Sequence, residues 1–122
     1  MRRKIKRCGD YTMSFSFCPE KKEPDMKKEN AFQAELIKEI KRRFPGAIVT
    51  KLDANYIQGI PDLLILYKDK WATLECKKSE SAPKRPNQEY YVDMMNGMSY
   101  SNFIFPENKE KVLNELEQSL RA

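Results

Sequence analysis

Histidine is absent from this 122-residue chain, and that absence removes the common mixed Cys/His zinc sites. Cysteine is scarce: Cys8, Cys18 and Cys76 are odd in number and too widely spread for a disulfide framework. Long apolar runs are missing as well. No stretch approaches the ~20 residues of a membrane span, and the N-terminus lacks the long apolar segment of a secretory signal. Internal repeats and low-complexity tracts are also lacking. These absences exclude a membrane protein and a disulfide-stapled secreted domain, so a reducing cytoplasm is the simplest home. What is present, 40% hydrophobic and 34% charged residues, is the composition of a soluble protein. The length supports one core and not two.

The net charge of +5 is unevenly distributed. Residues 1–28 hold nine Lys or Arg against four Asp or Glu, whereas the remainder holds fourteen of each sign. This basic extension has no sustained periodicity and a turn-rich middle around Pro19 to Pro24, which reads as flexible. It suits a nucleic-acid arm, or equally a dispensable upstream read-through ahead of Met26. The domain proper is then 29–122.

From Glu29 to Phe44 the apolar residues Phe32, Leu36, Ile37, Ile40 and Phe44 recur at helical spacing. Arg42 and Arg43 suit the negative pole of the helix, and Pro45-Gly46 ends it. At about 100° per residue, Glu29 and Gln33 fall on the apolar face of this helix, while Glu35 and Glu39 fall off it. Ala47 to Leu52 reads as a strand, followed by a polar loop over Asp53 to Gln58 and by Gly59. A helix is expected from Pro86 to Gly97, with Gly97 as its cap. Gln88, Tyr91, Val92 and Met95 share its inner face. A strand over Tyr100 to Phe105 and a helix over Asn108 to Leu120 close the chain.

The stretch between Gly59 and Lys77 carries the chemistry. Pro61-Asp62 opens an apolar run, and after a short polar turn a second run delivers Glu75 and Lys77 with Cys76 between them. Divalent ions such as Mg²⁺ take oxygen ligands and keep several waters, so two neighbouring carboxylates form a partial coordination shell beside a phosphate. The lysine would position or activate the attacking water. Side chains alternate faces along a strand, so Asp62 shares a face with Glu75 only if it pairs with an odd-numbered residue. A two-residue turn at Asp69-Lys70 or a four-residue turn over Tyr67 to Lys70 satisfies this; a three-residue loop at Lys68 to Lys70 does not, unless a bulge restores the phase. Leu63, Ile65 and Tyr67 on one face and Leu64 and Leu66 on the other mark a central strand buried on both sides. Taken alone, Glu75 and Lys77 read as well as two charges on a solvated strand face.

The combination of Gly59, Pro61-Asp62, a buried strand, twelve intervening residues, Glu75-x-Lys77 and a downstream Gln88 resembles the PD-(D/E)-x-K nuclease superfamily. It looks most like the virus-type replication-repair nuclease (VRR-NUC) branch and the related Holliday-junction resolvases, over Glu29 to Gly97. The resemblance implies an α/β restriction-endonuclease-like core, a mixed central sheet flanked by helices in the order α-β-β-β-α-β-α. It implies a Mg²⁺- or Mn²⁺-dependent DNA endonuclease, selective for branched DNA or Holliday junctions, from a phage or bacterium. In that role Asp62, Glu75 and the backbone carbonyl of Cys76 hold the metal, Lys77 orients the water and Gln88 borders the site. The resolvases place an acidic ligand three residues before a core leucine; here that residue is Gln33, a departure that leaves Glu29 to supply the carboxylate one turn earlier. DNA-binding candidates are Lys51, Gln58, Lys78, Lys84 and Arg85, with Asn55 and Tyr56 in the same loop, although ordinary loop polarity explains each singly. A resolvase, making paired cuts, is expected to be a homodimer. The alternative is an inactive nucleic-acid-binding or complex-organising module with the same fold.

Overall fold

The computed structural model describes residues 24–122, with side chains from Glu29 onward. Its elements are α1 (Pro24–Arg43), β1 (Ile48–Lys51), β2 (Leu63–Tyr67), β3 (Lys70–Cys76), α2 (Pro86–Met98), β4 (Tyr100–Ile104) and α3 (Lys109–Leu120). This is the expected order, α-β-β-β-α-β-α. Helix α1 begins earlier than the expected Glu29, because Pro24, whose fixed φ suits a first turn, extends the helix into the basic segment. The remainder of the proposed extension, residues 1–23, lies outside the described residues. Among the described residues, no helix is long and apolar enough to cross a membrane.

The sheet runs β1-β2-β3-β4. The first two pairings are antiparallel and the last is parallel. A parallel pair needs a crossover between its strands, and α2 supplies it. Leu66 pairs with Trp71, the register of the expected four-residue turn, and Tyr67 pairs with Lys70 as well, so the β2–β3 hairpin turns tightly over Lys68 and Asp69, one residue ahead of the other expected turn. Lys68 takes the left-handed φ of 57° that such a tight turn demands.

This register sorts the side chains into two faces. Leu63, Ile65, Tyr67, Ala72, Leu74 and Cys76 share one, where Leu36, Ile40 and Phe44 of α1 and Val112, Leu113, Leu116 and Leu120 of α3 complete a single core. Ion pairs from Arg43 to Glu110 and Glu117 and from Lys109 to Glu39 join the two helices, and Arg43 also pairs with Glu39 within α1. Arg121 adds a lid, its guanidinium lying over the rings of Phe44 and Tyr67.

Helix α2 lies on the opposite face and packs on β3 and β4. Thr73 meets it there, bonding Ser101 and lying 3.4 Å from the Met95 sulfur. Because α2 covers only those two strands, the expectation that β2 is buried on both sides fails at Leu66, which is 39% exposed. Gly97 does not cap α2 as expected either. The helix continues through Met98, and the Ser99 N–H closes it on the Met95 carbonyl.

Candidate active site

One end of the sheet gathers the residues of the motif. The β2–β3 register, extended one step beyond Leu63↔Leu74, sets Asp62 opposite Glu75, so the parity condition is met. Two backbone bonds fix Asp62 there: its carbonyl accepts the Leu52 N–H, and its carboxylate Oδ2 accepts the Cys76 N–H at 3.0 Å. β3 is the most enclosed strand, and Glu75 at its end is only 3% exposed.

Gln88, in the first turn of α2, ties the motif together. Its Nε2 donates to Glu75 Oε2 at 3.0 Å, and its Oε1 accepts from Lys77 Nζ at 2.8 Å and from the Arg85 N–H at 3.1 Å. A single amide therefore spaces the carboxylate and the ammonium, whose closest approach is 3.8 Å. The other Glu75 oxygen, Oε1, is buried with no hydrogen-bond partner. An unpaired buried carboxylate oxygen is costly, and burial, reinforced by Asp62, pushes the Glu75 carboxyl up to about 8. Asp62 is raised as well, chiefly by burial, against the pull of the Cys76 N–H and of Lys77 and Lys51.

From the core side, α1 presents Glu29 and Gln33 toward the same end. Gln33 is buried and lies beside the Cys76 thiol. Glu29 is half-buried, and its carboxyl is raised by burial and by Asp62, while Lys77 and Lys78 draw it down. Glu35 is exposed, and Glu39 is taken up by Arg43 and Lys109. Burial likewise pushes the Cys76 thiol up, so the Cys76 contribution within reach of the site is its main chain.

A cleft of about 280 Å³ opens beside these groups, lined by Glu29, Lys77, Lys78, Arg85 and Gln88 among others. The other sequence-derived contacts divide. Lys51 is exposed at the end of β1 and close enough to draw down Asp62. Gln58 is exposed on the β1–β2 loop. Lys84 does not line the cleft; its ammonium lies over the rings of Phe103 and Phe105 at 5.1 and 5.8 Å, anchoring the loop that carries Lys78 and Arg85. One contact had no sign in the sequence. Gly59, at φ +92°, packs so tightly on the start of α2 that a Cβ there would lie 2.8 Å from Asn87, and this locks the segment leading to Asp62 against the residue next to Gln88.

No family model matches the sequence, and no curated protein matches it. Solved structures do. One described as "VRR_NUC domain protein" superposes with a TM-score of 0.56 at 16% identity, covering 77% of this chain and 88% of its own. Another, described as "VRR_NUC domain", gives a TM-score of 0.56 at 25% identity over 75% of this chain and 95% of its own. The chain has a VRR-NUC-like nuclease fold.

Within this VRR-NUC-like frame, the donor set suits a hard cation. Among the described residues no three His, Cys, Asp or Glu side chains come together as a metal-binding group. The strands offer two carboxylates, Asp62 and Glu75, with the unpartnered Glu75 Oε1 among their oxygens. Main-chain carbonyls and water can fill the rest of a Mg²⁺ shell, since that ion keeps several waters and is held by one or two carboxylates together with substrate phosphate.

Proposed function

We propose that this chain is a Mg²⁺- or Mn²⁺-dependent DNA endonuclease that hydrolyses a phosphodiester bond in branched DNA. The observation that carries this reading is Glu75: a carboxylate enclosed by protein, with one oxygen unpartnered and the other held by Gln88, facing Asp62 and beside Lys77. Buried polar atoms are as a rule hydrogen-bonded, and a cation placed there would satisfy this oxygen and relieve the Asp62–Glu75 repulsion. Asp62, Glu75 and the carbonyl of Cys76 would hold the ion, with Glu29 or Gln33 reaching its shell from α1. The bound ion supplies a Lewis acid for the phosphoryl oxygens and lowers the pKa of water. Lys77, fixed by Gln88, orients the attacking water and offsets the negative charge that grows on the phosphate. Lys51, Lys78 and Arg85 would steady flanking phosphates by charge.

The test is cleavage of labelled duplex, flapped, branched and single-stranded DNA with Mg²⁺ or Mn²⁺. Cleavage should need the metal and vanish in Asp62→Ala and Glu75→Ala. A folded Glu75→Ala protein that cuts as fast as the parent would sink the assignment.

A further inference from the structure

One wall of the cleft is made by the segment between β3 and α2, where Pro83 and Arg85 line it together with Gln88 of the first helical turn. The backbone there has little freedom. Pro83 has a fixed φ, and Arg85, standing before Pro86, is held extended at φ −81° and ψ 150°. Lys84 lies between them, and its ammonium sits over the rings of Phe103 and Phe105 at 5.1 and 5.8 Å. Those rings are themselves fixed. Asn108 accepts the Phe105 N–H at 2.8 Å through its Oδ1 and donates to the Phe103 carbonyl at 3.1 Å through its Nδ2, so one side chain at the start of α3 grips both sides of Ile104. The Ile104 carbonyl in turn accepts the Lys77 N–H at 2.9 Å. The end of β4 is thus a firm support next to the site.

We propose that Lys84 is a positioning residue for the Gln88 amide, acting from this support rather than by touching DNA. The link is the next residue along. The Arg85 N–H donates to Gln88 Oε1 at 3.1 Å, the oxygen that also accepts from Lys77 Nζ, while Gln88 Nε2 donates to Glu75. A main-chain donor at that point admits only the amide oxygen. It therefore selects the orientation in which Gln88 spaces Glu75 from Lys77; a reversed amide would aim its N–H groups at Lys77 and at the Arg85 N–H and leave Glu75 facing an oxygen. Through the stiff backbone of residues 83–86, the cation held over the two rings sets where that N–H stands. The consequence for turnover rests on the nuclease reading above.

NMR of the full chain in EDTA, without DNA, reads the clamp as hydrogen exchange of the Arg85 N–H and of the Gln88 side-chain amide. Lys84→Ala should speed both about two- to fivefold, the worth of a cation over an exposed ring, and Lys84→Arg should keep parental rates. Phe103→Leu should speed them by itself and add nothing in the Lys84→Ala background. In metal-dependent cleavage, Lys84→Ala should lose a like factor in kcat. The slope of log affinity for DNA against log salt should stay parental, whereas a lost phosphate contact flattens it by about 0.9. Parental exchange in Lys84→Ala overturns the proposal, as do losses that multiply in the double variant. Faster exchange with a parental kcat overturns it too, since the contact would then only brace the loop, and a flattened salt slope would make Lys84 a DNA contact instead. A parent without metal-dependent cleavage, whose exchange rates nonetheless behave as expected, would sink the nuclease reading and leave the clamp on Gln88 standing.

Discussion

Glu75→Gln should make the metal-free protein more stable at neutral pH while abolishing cleavage. In the folded chain the Glu75 carboxyl is raised from 4.5 to about 8 by burial and by Asp62, so folding favours its neutral form. The stabilising contribution of that proton is complete below the unfolded value, and it is lost as pH rises from about 4.5 toward 8. At about 1.4 kcal/mol per tenfold change in proton affinity, a carboxyl that is ionised in the unfolded chain and mostly protonated in the fold costs the folded state on the order of 4 kcal/mol near pH 7.5. Gln is neutral throughout and avoids that cost. Its amide N–H₂ must sit where Oε1 now lacks a partner, which takes back roughly 1–3 kcal/mol. The net gain near pH 7.5 is then about 1–3 kcal/mol, or roughly 5–15 °C in Tm for a domain of this size. Near pH 5, where the carboxyl costs the fold less than about 1 kcal/mol, the gain should vanish or turn into a small loss. The assay is thermal unfolding of parent and variant in EDTA at both pH values, repeated with Mg²⁺. Metal should raise the Tm of the parent and leave the variant nearly unmoved. A variant no more stable than the parent near pH 7.5, or an advantage that does not depend on pH, would show that the Glu75 carboxyl is not raised by burial and would refute the reasoning.

Three other outcomes follow from the same geometry. Gly59→Ala should lower stability by about 1–3 kcal/mol, seen as a fall in Tm, because the new Cβ meets Asn87 at 2.8 Å and the φ of +92° strains any side chain; an unchanged Tm would mean that the loop is not clamped to α2. Lys77→Ala should cut turnover by roughly 10²-fold or more while Mg²⁺ still raises its Tm, whereas Gln88→Ala, which frees both Lys77 and Glu75, should impair turnover less; kinetics and metal titration of both variants separate positioning from ligation. Glu29→Ala or Gln33→Ala should impair cleavage, and Glu35→Ala, on the exposed side of α1, should be close to silent; a severe loss in Glu35→Ala alone would show the wrong helix face had been assigned.

Much of this arrangement is legible from local periodicity, because it depends on geometry within one element. The 3.6-residue repeat of Phe32, Leu36, Ile40 and Phe44 sets which side of α1 is buried, and Gln33 is buried on that side. The two-residue repeat of a strand makes Asp62 and Glu75 either share a face or not, and any even-length hairpin turn brings them together. The element order needs no more than turn residues and these two periods. Other features were decided by contacts between segments far apart in the chain. The turn at Lys68-Asp69 rather than Asp69-Lys70 follows from pairing along the whole hairpin, and the exposure of Leu66 from α2 reaching only β3 and β4. Gly97 reads as a cap in isolation, yet the helix continues past it and Ser99 closes it instead. Lys84 reads as a free cation until the rings of Phe103 and Phe105, on and just beyond a different strand, are placed beneath it. The sequence by itself determined which residues stand on which face of each element, since bond geometry repeats along the chain. Only the tertiary structure decided that Gln88 bridges Glu75 and Lys77 and that Gly59 closes on Asn87, because those distances are set by how a helix docks on a sheet.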